Sequence, residues 1–147
     1  MSNFLFWQKW LFGIGSLLTV FGLALTCFNQ TPVFDALFNN QITPVFWPAH
    51  EITPQIIRFQ QWICGVLGAT IAGWGIFTVF LAHYPFRNKE RWARNAIALG
   101  ITVWFVTDTS LSVYFLAMFN AAFKTVVFVA VLLPLLFTRH EFNQGRA

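Results

Sequence analysis

Four stretches of the chain are almost unbroken apolar runs, and the polar residues collect between them. The runs cover about 5–28, 54–82, 92–117 and 121–138. A helix needs roughly 20 apolar residues to cross the hydrocarbon core of a bilayer. Each run approaches or exceeds that length, so the pattern predicts an all-α fold. We expect a polytopic bundle of four transmembrane helices in a single domain spanning 1–147, with a structured outer loop between helices 1 and 2. A secretory signal is the rival reading of the first run. Ala24-Leu25-Thr26 before Cys27 is a poor processing site, so a retained helix is expected.

Small residues recur inside the first two runs. Gly15, Thr19, Gly22 and Thr26 share one side of the first helix. In the second, Gly65, Ala69 and Gly73 form one row, and Gly68 and Ala72 another. Small residues at three- and four-residue spacing let membrane helices approach closely, because lipid supplies no hydrophobic drive between them. Packing is therefore the first reading of these rows. A glycine wall open to a flat ligand is the second.

The long connection at 29–53 contains Pro32, Pro44 and Pro48. It nearly repeats itself, as QTPVF at 30–34 and ITPVF at 42–46. Thr-Pro suits a helix start, with Thr as N-cap and Pro in the first turn. The expectation is a short helix near 32–39, then an extended segment, with Thr53 capping the second long helix. Val33, Phe34, Leu37, Phe38, Phe46 and Trp47 are too apolar for a free loop, so they should rest on the bilayer surface or the bundle mouth.

Composition strengthens the membrane reading. The 147 residues are 57% hydrophobic and 10% charged, with 19 Phe and 7 Trp. A soluble domain carries about 25% charged residues. The net charge of +4 does not point to nucleic acid, because the basic residues sit at the ends of the runs. Arg87, Lys89, Arg91 and Arg94 crowd the short connection between runs two and three. Excess Lys and Arg mark cytoplasmic loops. That places both termini in the cytoplasm, in agreement with Lys9, Arg139 and Arg146. The 29–53 connection and the turn near 118–121 then lie outside. The expected location is an inner membrane of bacterial type.

Two charges break the last two runs: Asp108 and Lys124. A charge at the centre of a membrane helix costs roughly 2.5–3.5 kcal/mol on the insertion scale, so each needs a partner or a cavity. At 1.5 Å rise per residue, Trp74 and Trp104 fall at about the same depth, with Asp108 one turn further out and Lys124 slightly above it. Thr107, Ser110, Tyr114 and Asn120 add polar groups nearby. The expected picture is a polar slot opening outward, floored by Trp74 and Trp104, which would contact an apolar ligand. Three readings compete. The first is an interhelical ion pair. The second is a ligand or ion site in which Asp108 binds a cation or carries a proton. In the third, Lys124 snorkels outward and Asp108 is protonated or bonded to a hydroxyl.

The remaining reactive residues form no recognised constellation. His50, His83 and His140 match no metal motif, and no histidine lies inside a run at a depth suited to haem. Cys27 and Cys64 both fall near outer helix ends. A disulfide is conceivable there, although two buried thiols acting as small apolar residues suit the pattern better. No phosphate loop, nucleophile elbow or acidic metal cluster is present in the sequence, and no catalytic residue is assigned. The expected function is a non-enzymatic accessory subunit of a larger membrane complex, a binder of lipid, quinone or pigment, or both. Its partners would be membrane lipid and other membrane subunits. The cofactor is left open. A small transporter or proton-coupled carrier using Asp108 and Lys124 is the alternative, and a membrane-embedded enzyme comes third.

Overall fold

The computed structural model describes residues 2–47 and 52–142. Pro48, His50 and Arg146, singled out above, lie outside them. Every regular element among the described residues is a helix. Helix α1 is Ser2–Phe28. A capping helix, α2, covers 32–46 and includes a π turn at Asp35–Asn39. Helix α3 is Pro54–Leu81, continued by a π turn at Ala82–Phe86. Helices α4 and α5 are Arg91–Tyr114 and Met118–Phe137. The four long helices are long and apolar enough to cross a membrane.

The expected helix starts and stops are partly corrected. Thr53 caps α3 as its sequence suggests, its hydroxyl accepting from the Ile56 N–H at 3.4 Å. At Thr43-Pro44 no helix starts. The segment expected to be extended is helical over Asn40–Phe46, with Pro44 inside it. The Thr43 hydroxyl instead accepts from Gln60 Nε2 at 3.3 Å. Thr31 leaves its own cap unmade and donates back to the Phe28 carbonyl.

Helix α4 stops three residues earlier than expected, and α5 starts three earlier. Leu116 adopts a left-handed backbone, φ 59°. The Ala117 N–H reaches back to the Ser112 carbonyl at 2.8 Å and the Leu116 N–H to the Val113 carbonyl at 3.0 Å. This is the bonding of a Schellman stop, usually built on glycine. Lys89, φ 60°, ends the Ala82–Phe86 turn in the same way.

Helix α1 is the spine. It packs antiparallel along α3, and more lightly on α5, while α4 packs on α5. The α1–α3 seam uses the small residues. A methyl group at Gly75 would stand 2.5 Å from the Thr19 nitrogen and 2.6 Å from the Gly15 carbonyl, closer than real contacts allow. Thr26 Oγ1 crosses the same seam to the Gly65 carbonyl at 3.2 Å. The packed row on α3 is Gly68, Ala72 and Gly75. Gly73 meets nothing, and Ala69 is exposed.

The α1–α5 seam solves a problem set by Pro134. Proline has no N–H, so the Ala130 carbonyl four residues earlier lacks its helical donor. The Trp10 indole N–H donates to that carbonyl at 3.0 Å.

Phe86, the largest fully buried side chain among the described residues, lies at the end where the 82–90 turn, the start of α1 and the end of the described chain meet. Phe4, Phe86 and Phe142 are buried together, with Phe4 and Phe86 stacked at 5.8 Å. Lys89 lies over the Phe4 ring and pairs with Glu141 at 2.6 Å. Arg91 Nε donates to the Phe142 carbonyl at 2.6 Å. The core continues inward through Leu11, Ile97, Ile101, Val131 and Leu135.

At the opposite end α2 folds over the bundle. Phe38 contacts Phe21, Phe119 and Phe123. Gln60 donates to Asn39 and Thr43, while Asn39 donates to Asp35 and to the Asn29 carbonyl. These amides line a polar pocket of about 330 Å³ and are largely used in tying α2 down. Along the rest of the surface large apolar side chains are exposed, among them Leu17, Phe77, Leu99 and Val126.

Candidate functional site

Helix α4 touches α3 only sparingly, and the gap between them is an open groove of about 710 Å³. One wall is a stripe of α4: Ala96, Leu99, Gly100, Val103, Trp104, Thr107, Asp108 and Leu111. These positions advance by three and four residues, the repeat that keeps side chains on one helix face. Trp74 of α3 forms the other wall. The tip of its ring lies 3.9 Å from where a side chain at Gly100 would begin. The two tryptophans expected at a common depth therefore share one apolar surface.

Asp108 stands at one end of the stripe. Its Oδ2 receives the Lys124 ammonium at 2.6 Å. Lys124 also donates to Ser112 Oγ at 3.1 Å. Ser112 in turn donates to the Asp108 backbone carbonyl at 2.8 Å and accepts from Asn120 Nδ2 at 3.3 Å. The acid, the base, the hydroxyl and the amide thus form one network joining α4 to α5. Its two charges are unequally placed. The Lys124 side chain is 12% exposed, whereas that of Asp108 is 37% exposed and lines the groove.

The structure brings together Asp108, Lys124 and Asn120, and puts Thr107, Trp74 and Trp104 in the groove. It leaves out Ser110 and Tyr114. At 3.6 residues per turn, positions two and six beyond Asp108 are rotated by about 200° and 240° from it. Both are exposed and absent from the network. The hydroxyl missed from the sequence is Ser112. Its signal was the i+4 spacing from Asp108, which puts it one turn away on the same side. The expected slot is also reshaped. It is an apolar groove with one polar end rather than a polar cleft with a tryptophan floor.

The other reactive residues stand apart from the groove. Cys27 and Cys64 are both free, and Cys27 is exposed, so neither a disulfide nor a pair of buried thiols describes them. His83 packs its ring against Phe12 and Tyr84. Among the described residues no group of three or more His, Cys, Asp or Glu is placed to hold a metal.

No protein-family model, curated protein or solved structure matches the chain.

Proposed function

We propose that this is a non-enzymatic integral membrane protein that holds a small apolar molecule in the groove between α3 and α4. The observation that carries the reading is the α4 stripe itself: a largely apolar face, carrying Trp104 and flanked by Trp74, that among the described residues no other helix packs over. Four sufficiently long apolar helices and the many exposed Leu, Val and Phe side chains support placement in a bilayer. A lipid-soluble guest could then enter sideways, without crossing water. Lys124 is engaged by both Asp108 and Ser112, which suits a fixed countercharge better than a proton carrier. The reading extends to an accessory role beside other membrane proteins, with the basic end that contains Arg87, Lys89, Arg91 and Arg94 facing the cytoplasm.

The test is native mass spectrometry of the protein purified in mild detergent. The wild type should retain a lipid-soluble molecule. Gly100→Leu should lose it, because the added side chain fills the groove without touching the ion pair. Equal retention by both proteins, or retention by neither, would overturn the reading. So would cross-linking of a cysteine placed at Leu99 to a helix of another chain, which would make the groove a protein interface.

A further inference from the structure

We infer that the groove selects a neutral guest whose head is a hydroxyl group on an aromatic ring; this rests on the groove being a guest site. The two ends of the ion pair are unequally exposed. Lys124 is nearly enclosed; it pairs with Asp108 Oδ2 and donates to Ser112 Oγ. Asp108 has one oxygen in that pair. Among the described residues its other oxygen has no hydrogen-bond partner, and its side chain opens into the groove. The groove therefore presents a hydrogen-bond acceptor at its polar end.

An acceptor in apolar surroundings selects for a donor, because a polar group buried without one is costly. A guest whose head only accepts, such as a ketone, ester or quinone carbonyl, would set lone pair against lone pair. A cationic head would meet the Lys124 ammonium just behind the carboxylate, and an anionic head would meet the carboxylate itself. The pair is neutral as a unit, so a neutral donor bonds the free oxygen without disturbing it. Hydroxyl fits that description.

The stripe gives the rest of the guest. Trp104 lies one turn from Asp108, in position to stack on a ring that carries the hydroxyl. Gly100 faces Trp74 one further turn along. From Asp108 to Gly100 the helix rises about 12 Å, which is room for a ring followed by an alkyl chain. Trp74 closes over Gly100 at van der Waals range, so the chain runs along the open Leu99–Val103 side of the stripe. The shared chemistry is that of a lipid-tailed phenol or hydroquinol, and the oxidised form of the latter should bind less well.

Three matched probes test this in detergent, read as bound fraction by native mass spectrometry. 4-Nonylphenol carries the donor, 4-nonylanisole replaces it with a methyl ether, and 4-nonylbenzylamine is cationic at neutral pH. A hydrogen bond to a charged acceptor is worth roughly 10- to 100-fold in affinity, so the phenol should bind more tightly than the ether by that factor and more tightly than the amine. Asp108→Asn keeps an acceptor but loses the charge, and should shrink the phenol's advantage. If that variant fails to fold, the comparison on the wild type still decides. Equal binding of phenol and ether, or preference for the ether or amine, would overturn the inference and leave the guest site standing. Binding of none of the three would overturn the guest site as well.

Discussion

At the scale of single residues, the ion pair was the most legible feature of the chain. Asp108 and Lys124 stand alone in apolar runs, and the cost of an unpaired charge in hydrocarbon leaves few resting places for either. Their neighbours were less legible. Depth, and direction around α4 relative to Asp108, could be counted from the sequence, but where α5 begins, and so which side of α4 Lys124 meets, could not. That start follows from a left-handed Leu116, a conformation leucine rarely takes and no local pattern announces. Ser110, expected in the site, points away from Asp108, while Ser112, at i+4, is the one that sits between Lys124, Asn120 and the Asp108 carbonyl. The difference can be measured. Ser112→Ala removes the shared acceptor and leaves two donors short of a partner. It should lower stability by about 1–3 kcal/mol. Ser110→Ala, at an exposed position, should change it by less than about 0.5 kcal/mol. Thermal unfolding of both variants in the same detergent gives the comparison, and equal effects would remove Ser112 from the network.

At the scale of elements, the existence of the helices was readable because four apolar runs admit little else, whereas their pairing was not. The second run offered two rows of small residues, and periodicity treats them alike. Packing chose Gly68, Ala72 and Gly75 against Gly15, Thr19 and Gly22 of α1. The other row was left to carry Ala69 on the surface and Gly73 in open space. Backbones that approach this closely cannot accept a methyl group without separating. Gly75→Ala and Gly22→Ala should each pry α1 from α3, with a loss of about 1–3 kcal/mol, the usual cost of overpacking. Gly73→Ala should be neutral or slightly stabilising, since alanine is the better helix former by roughly 1 kcal/mol. A cysteine pair across the α1–α3 seam would report the separation directly as a loss of cross-linking. If Gly73→Ala proved as harmful as Gly75→Ala, the assigned face of α3 would be wrong. The capping helix shows the same limit. Thr-Pro at 43–44 has the composition of a helix start, yet the demand of Gln60 for a partner and of Phe46 for contact with Phe115 holds it within a continuing helix.

At the scale of the whole molecule, packing is uneven. Helices α3 and α4 are joined by the tight 82–90 turn and held there by the Phe4–Phe86–Phe142 cluster, then touch little along their length. A groove between them depends on that closed end to fix their separation. The clamp includes an ion pair outside the long helices, Lys89 with Glu141, and this makes the end sensitive to pH in a defined direction. The hydrogen bond and charge of Lys89 hold the Glu141 carboxyl below its ordinary pKa. A carboxyl depressed by folding contributes its stabilisation above the unfolded pKa and loses it as the pH falls through the folded value. The clamp should therefore stay constant through neutral and mildly acidic pH. It should weaken only once the pH drops below the ordinary glutamate range, near about 4.3. Because both partners are substantially exposed, salt should weaken it as well. Hydrogen exchange at residues 138–142, corrected for the intrinsic effect of pH on exchange, should accelerate in that acid window. In Glu141→Gln it should be faster than wild type at neutral pH and insensitive to the same acidification. If the wild-type tail loosened between pH 6 and 8 instead, a histidine and not Glu141 would govern the closed end.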